Sequence, residues 1–325
     1  MSVLTISGLY KRFNLEAGFF ARFGRFVNAV NDISFSIGSN EAYGLVGESG
    51  CGKTTTARML VRMYEADSGE ILYRHGETTL NVAGLKKEAL RQYREKVRYV
   101  FQDPARSLNP RMSVYEVLVS GCRKPLKKRG VSEDELRQKA ADILEEVGLQ
   151  AADLEKRPSE FSGGQRQRIS IARALLMEPE VLICDEVVSA LDVSIQGQIL
   201  NLLLDIRKKR NISFLFIAHD LKVACYFCDR IGVMYKGELM EEANAADLYC
   251  AAVHPYTKLL FSSAAGPKGA GEEARAETQR RGDASLSVHS CSFAPRCALA
   301  AERCFREHPE LSEIKEGHLI RCFNC

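Results

Sequence analysis

Gly47-Glu-Ser-Gly-Cys-Gly-Lys-Thr54 fits the spacing G-x-x-x-x-G-K-[ST], and that spacing suits the holding of a phosphate chain. Gly47, Gly50 and Gly52, with Glu48, Ser49 and Cys51 between them, let successive N–H groups turn inward around the anion. Lys53 would reach the terminal phosphates and the Thr54 hydroxyl would ligate Mg²⁺. Asp185-Glu186 closes the apolar run Val181-Leu-Ile-Cys184. A hard Mg²⁺ wants oxygen ligands and an attacking water needs an acceptor, so carboxylates at a strand end could serve both. Gln102 follows the run Val97–Phe101, where it could reach a metal or water, and His219 follows Ile212–Ile217. A lone His is usually structural. This one follows a strand as Gln102 and Glu186 do, so three strand ends would converge on the phosphate site. Ser162-Gly-Gly-Gln165 precedes a helical run, Arg166–Met177, and its glycines offer a second set of anion-binding N–H groups. Phe13 is the aromatic that could stack on a base; Tyr10 and Phe26 read as core aromatics.

These groups need a frame, and the hydrophobic periodicity supplies one. Residues 3–8 and 33–37 read as strands, the latter alternating with period 2, and Asn14 to Arg25 reads as a loop insertion between them. The phosphate loop has the flanks it requires: a buried strand over 41–46 and a helix opening at Thr55. Gly69–Tyr73 resumes a β pattern. After the polar stretch Asp103–Pro110 the period becomes helical from Ser113 to about Leu149, with Ser132-Glu-Asp-Glu135 as a cap and Ile143, Leu144 and Val147 as the apolar side. A helical subdomain, about 103–170, is therefore inserted into an α/β sheet.

The chain has 325 residues, 46% of them hydrophobic, enough for two domains or one with an appendage. A formal net charge of +3 makes no case for nucleic acid as a partner, and the basic run Lys124–Arg129 reads as a solvated loop. The first residues lack the features of a signal peptide and no window approaches a membrane span, so a cytosolic protein that borrows its membrane attachment is expected. In that compartment the 11 cysteines are thiols or metal ligands rather than disulfides.

Taken in order, Gly47–Thr54, Gln102, Phe161–Gln165, Asp185-Glu186, Ser189-Ala-Leu-Asp192 and His219 resemble the nucleotide-binding subunit of an ATP-binding cassette (ABC) transporter over residues 1–260. The resemblance implies a P-loop NTPase fold with an antiparallel β start, and an ATPase. It implies that Phe13 stacks on adenine, that Lys53 holds the β- and γ-phosphates, and that Thr54, Gln102 and Asp185 position Mg²⁺. Glu186 would be the general base and His219 the γ-phosphate sensor. Ser162, Gly163, Gly164 and Gln165, with Asp192, would act in trans on ATP held by a second subunit, and the surface near Gln102–Glu116 would relay closure to membrane subunits. Phe161 and Val187 depart from the commoner Leu and Pro without removing a reacting group.

A narrower resemblance rests on Phe101–Met112, Ser189–Gln196 and His254-Pro-Tyr-Thr-Lys-Leu-Leu260, which look like the ATPases of bacterial oligopeptide, dipeptide and nickel importers. Cys51 and Arg111-Met112 resemble the second of two paired ATPases, implying a homologous, non-identical partner, two permeases, an extracytoplasmic solute-binding protein, and a place on the cytoplasmic face of the membrane. Nickel import and a soluble, non-transport ABC ATPase are the alternatives.

After a linker, 261–288, comes a cysteine-bearing extension, 289–325. Its Cys291, Cys297, Cys304 and Cys322 are separated by gaps too long for a common zinc site, and four thiolates suit a [4Fe–4S] cluster, as the resemblance also implies; Cys325 is a substitute ligand. So short a tail is expected to depend on metal for its order. Its distance in sequence from the phosphate loop suggests a structural rather than a catalytic role.

Overall fold

The computed structural model describes residues 2–14, 26–263 and 290–324. The expected insertion over 15–25, most of the linker 261–288, and Cys325 lie outside them. The strands are β1 (Ser2–Asn14), β2 (Phe26–Gly38), β3 (Ala42–Val46), β4 (Ser68–His75), β5 (Thr78–Asn81), β6 (Val97–Val100), β7 (Val181–Asp185), β8 (Ser213–Ala218), β9 (Arg230–Tyr235), β10 (Glu238–Asn244), β11 (Ser312–Lys315) and β12 (His318–Ile320). No described helix is long and apolar enough to cross a membrane.

The chain divides into two compact units. One, made of Ser2–Ile37, Glu41–Ala83 and Phe216–Cys325, carries the phosphate loop. It contains an antiparallel sheet ordered β2-β1-β4-β5. Leu4, Ile6 and Leu9 of β1 are buried while Ser7 and Tyr10 are exposed, the alternation of a strand with one wet face. A second set of strands in this unit runs β11-β12-β10-β9-β3. β3 pairs in parallel with β9, Tyr43 opposite Arg230 and Val46 opposite Val233, and every β3 residue is buried. Parallel strands covered on both faces read as unbroken apolar runs, which is why β3 is legible.

The other unit, Gly38–Asn40 and Gly84–Leu215, carries the carboxylate pair. β6 and β7 pair in parallel, Val97 opposite Val181 and Val100 opposite Cys184, and β8 follows on the far side of β7. The expected helical segment is present as Pro104–Ser107, Val114–Val119, Arg123–Lys128, Glu133–Glu146 and Gly163–Leu175. Three of these helices open with reciprocal capping boxes, Ser113 with Glu116, Ser132 with Glu135 and Ser162 with Gln165, so side chains satisfy N–H groups that the first turn leaves free.

Two expectations change. β1 and β2 each run to 13 residues, well beyond 3–8 and 33–37. The extension is no free-standing tail: β12 pairs with β10, Glu241 opposite Ile320, and β11 with β12. Its buried Phe293 sits against Tyr235, His254 and Tyr256 at ring distances of 5.3, 5.8 and 5.3 Å. The Arg321 N–H donates to the Met240 carbonyl, and its buried side chain donates to Leu239 and Pro309 carbonyls. The extension therefore has strand pairing and an apolar anchor of its own, and metal is not its only source of order.

Candidate nucleotide site

The phosphate loop leaves the buried end of β3 and enters the helix Lys53–Leu60. Gly52, the N-cap, has φ 110°, and a Cβ there would lie 2.0 Å from the Ala29 carbonyl oxygen. A Cβ on Gly47 would lie 2.1 Å from the Met234 carbonyl oxygen. Both positions thus demand glycine because backbone approaches closely. No side chain caps the helix start. Lys53 is buried, and its ammonium donates to the carbonyls of Gly47 (2.7 Å) and Glu48 (3.0 Å). Burial raises the Cys51 thiol. Ser49 and Gly50 are exposed at the tip, while Thr54 and Thr55 are half-buried in the first helical turn.

Glu48 is held at three points. Its N–H donates to the Tyr256 hydroxyl at 3.0 Å, its carbonyl accepts from Lys53 and from the Cys51 N–H, and its carboxylate takes both arms of the Arg296 guanidinium at 2.7 and 2.8 Å. Neither Tyr256 nor Arg296 was identified as a site residue from sequence. Tyr256 lies in the His254–Leu260 motif, which is the signal that could have found it; Arg296 gives no sequence signal beyond adjoining Cys297. The extension thus reaches the phosphate loop despite its distance in sequence.

In the same unit Phe13, near the end of β1, is half-buried, meets Tyr64 edge to face at 5.3 Å and lies 5.5 Å from the Lys11 ammonium. Tyr10 and Phe26 are exposed, 39% and 54%, so they are not the core aromatics that the sequence suggested; the Arg12 guanidinium covers Phe26 instead. His219 is exposed just beyond β8, and Asp220 caps the helix that follows.

In the other unit Asp185 is buried at the end of β7 and accepts from the Tyr99 hydroxyl at 2.5 Å. Glu186 is half-buried and accepts from the Gln102 amide at 2.7 Å. Its φ of 48° is left-handed. Such a conformation costs a non-glycine residue energy and gathers at functional sites. Ser162 caps the helix Gly163–Leu175; Ser162 and Gln165 are exposed, and Gly163 and Gly164 half-buried. A Cβ on Gly164 would meet Ile195 at 2.7 Å. Asp192 is an exposed N-cap of the helix Val193–Arg210.

The expected cluster ligands are free thiols, and among the described residues no group of three or more His, Cys, Asp or Glu is gathered to hold a metal ion. Two of the four are joined through the backbone, the Cys291 N–H donating to the Cys304 carbonyl at 2.9 Å. Burial pushes Cys291 up to about 11 and also raises Cys297, and negative charge on Cys304 would raise both further. Each of three sulfurs has a backbone donor: Phe293 and Ala294 toward Cys291, Leu299 toward Cys297, and Asn324 toward Cys322 at 3.4 Å.

Comparison with known proteins accords with this geometry. Residues 30–189 match the ABC transporter family and residues 240–304 the oligopeptide/dipeptide transporter C-terminal region. The chain is 44% identical to the oligopeptide transport ATP-binding protein OppF of Bacillus subtilis over 91% of its length and 90% of that protein. It is 41% identical to the probable peptide ABC transporter ATP-binding protein y4tS of Sinorhizobium fredii, over 99% and 89%. Among solved structures it resembles cbiO1 of Clostridium perfringens, part of the ABC transporter complex cbiONQ, with TM-score 0.65 at 26% identity over 77% of this chain and 91% of that one. It also resembles an ATP-binding cassette solved as a dimer with ADP and Pi, with TM-score 0.64 at 25% identity over 74% and 98%. The chain belongs to the ATP-binding subunits of ABC transporters and is an ABC-type ATPase. Within that family it carries the C-terminal region of the oligopeptide/dipeptide branch.

Proposed function

We propose that this chain hydrolyses ATP to drive peptide import through an ABC transporter, bound at the cytoplasmic face of the membrane. The observation that carries the reading is near full-length similarity to an oligopeptide transport ATPase, joined to the branch's own C-terminal region. Phe13 stacks on adenine; Lys53 leaves the Gly47 and Glu48 carbonyls for the β- and γ-phosphates, while the loop from Gly47 to Thr55 wraps them. Glu186 accepts the proton of the attacking water or polarises it, Gln102 orients Glu186, and His219 contacts the γ-phosphate. Thr54, Gln102 and Asp185 present hydroxyl, amide and carboxylate oxygens, a donor set suited to Mg²⁺, which when bound neutralises phosphate charge.

Ser162, Gly163, Gly164 and Gln165, with Asp192, act on ATP held by a homologous, non-identical ATPase. Two permease subunits and an extracytoplasmic solute-binding protein complete the assembly, and nucleic acid has no part in it. A groove of about 620 Å³ whose lining includes Arg94, Arg98, Met112 and Glu116 supports permease docking beside the segment that follows Gln102. Uptake of labelled peptide and of nickel is measured in cells lacking this chain and complemented with wild type or Glu186→Gln. Peptide uptake restored by wild type alone supports the reading; restored nickel uptake without peptide uptake replaces it.

Cys291, Cys297, Cys304 and Cys322 suit a [4Fe–4S] cluster by their soft sulfur chemistry, and an N–H group of Asn324 donates to the Cys322 sulfur at 3.4 Å. A cluster of four irons also spreads its ligands wider than one ion does. When bound, it cross-links the extension. Oxygen-free purification should give iron and acid-labile sulfide; one zinc per chain without sulfide excludes the cluster.

A further inference from the structure

Glu48 places a carboxylate inside a loop built to receive a polyanion. At its position the loop's N–H groups attract phosphate, while this side chain repels it unless compensated. The compensating group comes from the far end of the sequence. Arg296 lies in a short 3-10 turn of the extension, immediately before Cys297, and grips both Glu48 oxygens in the bidentate geometry that suits a guanidinium. Its own place is fixed by rings: its guanidinium lies 5.6 Å from the Tyr235 centroid and 5.8 Å from that of Phe293. Tyr235 and Tyr256 are themselves 4.7 Å apart, and Tyr256 also receives the Glu48 N–H. When Lys53 turns toward phosphate, the Glu48 carbonyl keeps the Cys51 N–H at 3.3 Å, and the Tyr256 and Arg296 contacts stay in place.

We infer that Arg296 is a positioning residue for nucleotide binding: through Glu48 the C-terminal extension fixes the phosphate loop and neutralises its carboxylate. This rests on ATP binding at Gly47–Thr54 and assigns the extension a part in it. Arg296 touches no phosphate. Its effect falls on ground-state affinity for ATP and ADP alike rather than on the chemical step.

The test measures Kd for ATP and ADP and the melting temperature on the full chain, and kcat and KM in the assembled transporter. Arg296→Gln should raise both Kd values and KM roughly 3- to 10-fold, in the range of a bidentate charge-assisted contact partly open to solvent, with kcat within about twofold. The double variant Glu48→Gln/Arg296→Gln should recover most of the lost affinity, because it removes the charge that Arg296 compensates. A packing role for Arg296 predicts no such recovery. Should Arg296→Gln fail to fold, Arg296→Lys keeps the charge without the fork and should weaken both nucleotides about 2- to 3-fold. Unchanged affinity in the folded Arg296 variants, or a double variant as weak as the single one, overturns the inference. Absence of ATP binding by wild type overturns the ATPase reading along with it.

Discussion

Glu186, just past β7, and the acids of β10 are held in opposite ways. On β10, Glu241 is wholly buried and accepts from the Val253 and His254 N–H groups at 2.8 and 3.1 Å and pairs with His318 at 2.8 Å. Glu238 is met by Asn31, Ser292 and His308, and Glu242 by Tyr43 and Arg230. Several of these partners, Ser292, His308 and His318, belong to the extension, so the β10 acids are what the extension docks onto. At the end of β7, Glu186 is left half-exposed in a left-handed conformation beside the exposed Gln102. Enclosure by fixed partners marks an acid that builds structure. Strain and an exchangeable neighbour mark one placed to react.

That contrast predicts separable losses. Glu186→Gln should keep ATP binding and slow hydrolysis by roughly 10²–10⁴, the worth of a positioned base; near-normal turnover in the assembled transporter would remove Glu186 from that role. Glu241→Ala should cost about 3–5 kcal/mol of stability, since it strands buried donors and a buried His, and it should appear as a lowered urea midpoint with the slope unchanged. A cost under about 1 kcal/mol would show that solvent repairs the site.

The smallest effect concerns pH. Burial holds His254 down at about 4, against the opposing pull of Glu241 and a hydrogen bond to the Arg321 backbone; the Tyr256 N–H donates to the ring's Nδ1 at 3.0 Å. An unfolded chain protonates this ring near its ordinary value of about 6.5. Stability should therefore be whole above that pH and fall as pH drops toward about 4, by about 1.4 kcal/mol per unit at most. His254→Asn should flatten this part of the acid limb; an unchanged slope would assign it to other groups.

The residues with chemistry were legible because their spacing is dictated by backbone geometry. Gly47 and Gly52 have no room for a Cβ, and β3 and β7 read as apolar runs because parallel strands are covered on both faces. β10 was not legible: Glu238-Leu-Met-Glu-Glu-Ala-Asn244 carries acids that are rarely buried without partners, and those partners lie as far off as His318. β9 and β12 likewise pair with distant strands, β3 and β10, whereas β11 pairs with its hairpin neighbour β12. Arg296 was hidden for the same reason, its partner Glu48 being a loop residue at the opposite end of the chain.

The most direct measurement takes Glu186→Gln and Glu241→Gln side by side, following phosphate release in a single turnover and the rise in melting temperature on adding ATP. Glu186→Gln should release almost no phosphate while melting as wild type does and gaining stability from ATP at least as strongly. Glu241→Gln should melt lower but, below its transition, release phosphate at close to the wild-type rate. Lost phosphate release from the folded Glu241 variant, or an unstable Glu186 variant that still hydrolyses, would contradict the division between the two strands.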